Sequence, residues 1–268
     1  LWACSRHLSK LDFDVVINLH PNERCSFIDA MTSVKLRTGT THKIFKWFWD
    51  VFTPLDRSMH AADMYLDVLQ QLGVQDLSNN GLEIFPGEEH FLEAELFWQE
   101  QNITDQDKLI GFNIGSAVPT KRWPPERFAD VADIFAAKGY KTVFFGGPMD
   151  EEMVAKATGY MQTRPIIATG HFAIGGLAAA MRRCCLIITN DSGPMHVAIS
   201  QKVPIVAMYG PSNPKLYGPY TKDAVIVTAQ PPCQGCADGM KHSCDDLQCM
   251  SRMTVEQVVA AADTMLNK

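Results

Sequence analysis

The chain has 268 residues, a formal net charge of −6, 46% hydrophobic and 20% charged residues. That is the composition of a folded chain with a full core, long enough for one large domain or two small ones. The acidic balance argues against nucleic acid as a partner, and no apolar stretch is unbroken enough to span a bilayer. The start, Leu1-Trp2-Ala3-Cys4-Ser5-Arg6, lacks the basic-then-apolar pattern of a signal peptide and does not open on Met, so the expectation is a processed chain or a fragment. Eight cysteines in a chain that needs no staples point to the cytoplasm.

Residues 13–19, Phe-Asp-Val-Val-Ile-Asn-Leu, read as one buried strand. His20, Asn22, Glu23 and Arg24 follow it and could face an anionic acceptor, or form an ordinary polar loop. The aromatic stretch 43–52, with Lys43 and Lys46, suits either internal packing or contact with a membrane surface. A helix is expected over 61–72, with Met64, Tyr65, Val68, Leu69 and Leu72 on one face and Gly73 as its stop. One strand and a helix or two do not make a self-sufficient domain, so residues 1–104 read as an incomplete N-terminal domain.

From residue 105 the pattern becomes regular. Apolar strands are expected at 109–114, 141–145, 165–168, 185–189, 203–208 and 224–228. Helices are expected at 125–138, 150–161, 174–183, 194–201 and 254–266. Alternation of this kind means a parallel sheet covered on both faces, an α/β domain of the doubly wound nucleotide-binding type over 105–268. Cys184 and Cys185, beside Leu186-Ile187-Ile188, read as small buried hydrophobes. Cys233, Cys236, Cys244 and Cys249 have zinc-like spacing, with a loose second pair. A structural zinc and reduced thiols are both compatible with it.

Ligands of an open parallel sheet bind beyond the carboxyl ends of its strands. The segments there carry Ser116 and Lys121, then Gly146-Gly147 with Glu151, then His171-Phe172. Next come Asn190-Asp191-Ser192-Gly193-Pro194-Met195-His196, and finally Tyr209-Gly210-Pro211. Asp191, Ser192 and Gly193 precede Pro194, a residue favoured at the first helical position. The free amides of such a helix start suit a phosphate, and Lys121 can add positive charge. Asp191 or Ser192 could instead simply cap the helix, and His196 could be a structural histidine. No Gly-x-Gly-x-x-Gly follows a strand, which argues against a nicotinamide oxidoreductase.

Lys121-Arg122-Trp123-Pro124, Gly146-Gly147, and the run from Asn190 to Ala198 followed by Tyr209-Gly210-Pro211 resemble the ADP-heptose:lipopolysaccharide heptosyltransferases, glycosyltransferase family 9. The resemblance covers 105–268 in order, and 12–75 more weakly. It implies two Rossmann-like domains of the GT-B type and an inverting, metal-independent transfer of heptose from ADP-heptose to the lipopolysaccharide inner core. It also implies a nucleotide-sugar donor, a lipid-anchored saccharide acceptor, and work at the cytoplasmic face of the inner membrane with no cofactor.

By resemblance, Ser116 and Lys121 match the diphosphate contacts, Glu151 the acid at the ribose, and Phe172 the residue beside the adenine. Asp191 matches the carboxylate on the donor sugar, Ser192 and Gly193 the diphosphate cradle, and His196 the closing residue of the motif. The family's base, an Asp in a Gly-Asp loop after its first strand, has no match here. The expectation is a base upstream of this chain, or else a donor-binding remnant without one. A transferase using another nucleotide sugar stays open beside these.

Overall fold

The computed structural model describes residues 1–20, 22–41, 43–54, 56, 58–229, 244 and 247–268. Two compact units divide at Leu1–Asn79 and Asn80–Lys268. The division falls ahead of the expected boundary at 104/105. The reason is helix α4 (Glu88–Glu100; numbered in the full helix order given below), whose Ala94, Phe97 and Trp98 are buried in the core of the second unit.

The first unit holds three parallel strands in the order β1 (Val15–Asn18), β2 (Leu36–Thr41), β3 (Val51–Pro54). Helices α1 (Trp2–Ser9), α2 (Glu23–Met31) and α3 (Ala61–Gln71) accompany them. This is more structure than the sequence suggests. β2 has the sequence Leu-Arg-Thr-Gly-Thr-Thr, with one apolar residue, yet Thr38 and Thr40 are buried. A strand covered through threonines has no hydrophobic run to betray it.

The reading of 13–19 as a buried strand is corrected. Phe13, Val15, Ile17 and Leu19 are each 38–47% exposed. Among the described residues β1 pairs with β2 alone and α3 packs on β2 and β3, which leaves the apolar alternation of β1 partly exposed. Asn22 accepts the Cys25 N–H at 2.8 Å and caps α2, which places Glu23 and Arg24 in its first turn. The aromatic stretch splits: Trp47 is exposed with Lys46 Nζ 4.9 Å above its ring, whereas Trp49 is buried.

The second unit is a six-stranded parallel sheet. Its strands are β4 (Leu109–Asn113), β5 (Lys141–Phe145), β6 (Ile166–Ile167), β7 (Cys184–Asn190), β8 (Ile205–Met208) and β9 (Ala224–Val227). Their spatial order is β6-β5-β4-β7-β8-β9. Besides α4, the helices are α5 (Pro125–Ala137), α6 (Glu151–Tyr160), α7 (Ile174–Met181), α8 (Gly193–Ser200), α9 (Pro214–Tyr217), α10 (Gln248–Ser251) and α11 (Val255–Leu266).

Side-chain alternation sorts the core into two layers. Ile110, Phe112, Phe144, Leu186 and Ile188 meet α5, α6 and α11 on one face. Leu109, Val143, Phe145, Ile187 and Ile205 meet α4, α7 and α8 on the other. Cys184 is buried as expected, and burial pushes its thiol far above the ordinary range. Cys185 is partly buried and its Sγ lies 3.1 Å from the Leu109 carbonyl.

Gly111, in the middle of central strand β4, lies beneath large neighbours. A Cβ there would meet Ile187 Cδ1 at 2.3 Å and the Phe145 ring at 2.8 Å. Gly111→Ala is therefore expected to destabilise the chain by about 1–3 kcal/mol through overpacking. Urea denaturation followed by circular dichroism measures this; an unchanged midpoint would mean that the two core layers are looser than described.

Candidate functional site at the sheet switch point

β4 and β7 are neighbours, but β4 connects onward to β5 on one side and β7 onward to β8 on the other. Loops leaving these two strands diverge and open a crevice over their carboxyl ends. The last residue of each strand is a fully buried asparagine. Asn113 Nδ2 donates to Thr189 Oγ1 at 2.9 Å and to Ser192 Oγ at 2.7 Å. Asn190 Nδ2 donates to the Ile114 carbonyl at 2.7 Å, and its Oδ1 accepts the Trp123 backbone N–H at 3.0 Å. The two loops are thus laced across the crevice by amides with no access to water.

The loop after β4 is anchored twice more. Trp123 is fully buried, and its indole N–H donates to the Met253 carbonyl at 3.1 Å. Arg122 Nε donates to the Ser116 carbonyl at 2.8 Å. Between these anchors a 3-10 turn, Pro119–Lys121, brings Lys121 Nζ to 2.7 Å from Asp191 Oδ2. Both side chains are largely buried. The Ser212 hydroxyl, from the loop after β8, donates to the same Oδ2. Tyr209, on that loop too, donates its hydroxyl to the Tyr217 carbonyl at 2.7 Å. Burial, with the Asp191 carboxylate nearby, pushes this phenol well above its ordinary range.

α8 begins at Gly193 with Pro194 in its first turn, and Ser192 is its N-cap in extended geometry. The Ser192 side chain makes no capping bond; its oxygen accepts from Asn113 instead. The plain helix-cap reading therefore does not hold for Ser192. A Cβ added at Gly193 would meet nothing within 4 Å. There is thus open space beside Gly193 at the start of α8, where the Met195 N–H is bonded to the Ser192 carbonyl at 3.1 Å. His196 sits half-buried near the start of the same helix.

Ser116 is buried, and its hydroxyl lies 3.3 Å from the Val118 N–H. Glu151 begins α6, exposed, with its carboxylate against Gly170: a Cβ there would lie 2.9 Å from Oε1. Gly170 also has a φ of +75°, a conformation that favours glycine. Phe172 is half-buried, 5.1 Å from the Phe97 ring and 4.7 Å from that of His171.

Five of the expected residues, Ser116, Lys121, Asp191, Ser192 and Gly193, thus gather on the two laced loops and the helix start. Glu151 and Phe172 lie on the next two loops along the same edge. Asn190, Tyr209 and Ser212 were expected only as members of the loop segments, with no role of their own, and Asn113 was not anticipated. Nor was Asp150, whose carboxylate accepts the Gly147 N–H at 2.9 Å and packs where a Gly115 Cβ would fall. An asparagine closing both Ile-Gly-Phe-Asn and Ile-Ile-Thr-Asn was the available signal, since a buried amide at a strand end needs partners on neighbouring loops.

Among the described residues no three His, Cys, Asp or Glu side chains stand together as a metal site. Cys233 and Cys236 of the four-cysteine cluster lie outside the described residues, while Cys244 is exposed and Cys249 buried. No helix among the described residues is long and apolar enough to cross a membrane.

The model of glycosyltransferase family 9 (heptosyltransferase) matches residues 1–244. The lipooligosaccharide heptosyltransferase 2 of Haemophilus ducreyi is 33% identical over 138 residues, 49% of this chain and 40% of its own length. The match to that relative therefore takes in less than half of it. The crystal structure of a family 9 glycosyl transferase from Veillonella parvula is 52% identical, with a TM-score of 0.89 over 98% of this chain and 76% of that one. The E. coli ADP-heptose lps heptosyltransferase II structure, at 21% identity, shares the fold with a TM-score of 0.76 over 99% of this chain and 80% of that one. The α/β units described above are of the GT-B type that these neighbours share, and with a signature running through residues 1–244 the chain belongs to glycosyltransferase family 9.

Proposed function

We propose that this protein is an inverting heptosyltransferase that takes heptose from ADP-heptose and adds it to the lipopolysaccharide inner core. The observation that carries the reading is the start of α8: amide donors, a side-chain cap diverted to Asn113, open space ahead, and Lys121 at the rim. A diphosphate supplies the charge and the acceptor oxygens that such a place lacks. The relatives' names supply the sugar.

Each residue then has a task. Ser192 and Gly193 offer backbone amides to the diphosphate, with Lys121 and Ser116 on the opposite loop. Phe172 flanks the adenine and Glu151 the ribose. Asp191 accepts hydrogen bonds from the heptose hydroxyls. His196 supports the first turn beneath the diphosphate. When the bond from the anomeric carbon to the diphosphate breaks, its electron pair leaves with the diphosphate. Fixed amides and Lys121 stabilise that charge more than they stabilise bound donor, with no need of a metal ion.

Lys121 is shared. It pairs with Asp191 at 2.7 Å, so a diphosphate competes with that carboxylate for the ammonium. The Ser212 hydroxyl keeps Asp191 partly satisfied throughout. No residue of this chain is assigned as the base that takes the acceptor proton. The acceptor is read as a lipid-anchored core saccharide met at the cytoplasmic face of the inner membrane, where exposed Trp47 and Lys46 suit an interfacial contact.

Calorimetry with ADP, ADP-heptose, UDP and NAD tests the donor assignment. ADP and ADP-heptose are expected to bind, and UDP and NAD not. Lys121→Ala is expected to weaken ADP by about 1.5–3 kcal/mol, the usual range for a hydrogen bond to a charged group. Preference for UDP would remove the ADP-heptose assignment. Absence of all binding from a sample that melts cooperatively would remove the donor site itself.

Asp191 and Ser212 separate sugar from nucleotide. Asp191→Asn should lower affinity for ADP-heptose about tenfold, or ~1.4 kcal/mol, while leaving ADP unchanged or tighter, because Lys121 is released. Ser212→Ala should lower ADP-heptose affinity in the same direction, and Ser212→Thr should restore it. Equal losses for ADP and ADP-heptose in both variants would place Asp191 at the nucleotide and not at the sugar.

A further inference from the structure

α7 starts right after the loop that follows β6, so its first turn stands at the carboxyl edge of the sheet, beside Phe172. α4 packs along it. Gly175 and Gly176 lie in that turn. A Cβ at Gly176 would collide with Glu93 Oε2 and would fall 3.0 Å from Phe172 Cδ1. The missing side chain at Gly176 thus leaves the room that the Glu93 carboxylate occupies, and the carboxylate and the edge of the Phe172 ring meet over one glycine.

Phe97 is one turn further along α4 and therefore shares a face with Glu93. Its buried ring lies 5.1 Å from that of Phe172. Phe97 backs the Phe172 ring from the core, while half-buried Glu93 stays within reach of a ligand beside it. The polar neighbours on α4 are engaged: His90 Nδ1 accepts the Gly87 N–H at 3.0 Å, and Glu95 accepts from Gln99 Nε2 at 3.3 Å. Glu93 differs. Among the described residues no cation pairs with it and no donor bonds to it. An ionised carboxylate can only accept, so what is unanswered beside Phe172 is an acceptor.

We propose that Glu93 reads the base of the donor: its carboxylate accepts a hydrogen bond from the exocyclic amine of a 6-aminopurine lying against Phe172. The assignment rests on the donor reading above, in which Phe172 flanks the base. Adenine carries an NH2 group at its 6-position. Hypoxanthine and guanine carry a carbonyl oxygen there, and that oxygen would face the carboxylate with no proton between them. Selectivity comes from this repulsion as well as from the bond, which is strengthened by the charge of the acceptor. The donor then meets complementary groups at both ends. Hydroxyl and amine donors of the nucleoside face Glu151 and Glu93, and the diphosphate oxygens face backbone amides and Lys121.

Calorimetry on the whole chain with ADP, inosine diphosphate and pyrophosphate tests this. The unmodified chain is expected to bind ADP about tenfold or more tighter than inosine diphosphate. Glu93→Gln keeps the shape of the side chain and adds a donor that a 6-carbonyl can use. It should narrow the preference by about tenfold, weakening ADP and strengthening inosine diphosphate. Pyrophosphate, which has no base, should bind both chains equally. Equal affinity for ADP and inosine diphosphate in the unmodified chain overturns the proposal without any variant. So does a preference that Glu93→Gln leaves unchanged, or a loss shared by all three ligands, the result of a carboxylate that only steadies the first turn of α7. In those cases ADP still binds the unmodified chain and the donor reading stands. A chain that melts cooperatively and binds neither ADP nor pyrophosphate removes the donor reading, and this proposal with it.

Discussion

Everything at the donor edge depends on two buried amides at the ends of two neighbouring strands. Where the winding of a parallel sheet reverses, the outgoing loops separate and nothing in the strand ladder holds them in register. Asn113 and Asn190 supply that register from inside the protein, each bonding to the loop or strand opposite. In a site shielded from water, such bonds are worth more than on the surface, and an unmade one is correspondingly costly. The spacing between the Lys121 loop and the Asp191 turn is therefore a property of the core and not of the loops themselves.

The same lacing explains why α8 starts without a side-chain cap. Ser192 occupies the position where a hydroxyl normally turns back onto the first helical amides. Asn113 holds that oxygen in another direction, Pro194 has no N–H to be capped, and the Met195 N–H is taken by the Ser192 carbonyl at 3.1 Å. Buried Asp191 beside this helix start would repel a second anion, but Lys121 and the Ser212 hydroxyl both act on its Oδ2. In the proposed site a carboxylate and an anion-accepting helix start coexist because the Lys121 ammonium reaches across from the opposite loop to Asp191. Fixed dipoles of this kind need little rearrangement when charge develops on a leaving group.

The second unit was legible because its strands are buried on both faces. Continuous runs such as Leu186-Ile187-Ile188 and Ile205-Val206-Ala207 announce a parallel sheet directly. The first unit was not, because β2 is buried through threonines and β1, although apolar, is partly exposed. Periodicity reports where apolar side chains recur, not which neighbour is present to cover them. At the site, the charged and glycine-bearing residues stood out in the sequence. The roles of Asn113, Asn190 and Ser212 did not, since a buried amide or hydroxyl matters only through a partner far along the chain. Asn113 and Ser192 are 79 positions apart.

α4 shows how one helix can serve two places on the sheet. Its Phe97 touches His171 at 4.6 Å and Phe172 at 5.1 Å, on the loop assigned to the adenine. The adjacent Trp98 packs edge-on against Phe145, the last residue of β5. α4 and α7 also meet where His90 and Glu93 occupy the space above Gly175 and Gly176. A Cβ at either glycine would fall within 2.4 Å of those side chains, so the two helices are in close contact there. Close-packed helices shift as bodies and not atom by atom. The Phe97–Phe172 contact is therefore held by the apolar packing of α4 on α7 and β5, independently of the hydrogen-bonded crevice.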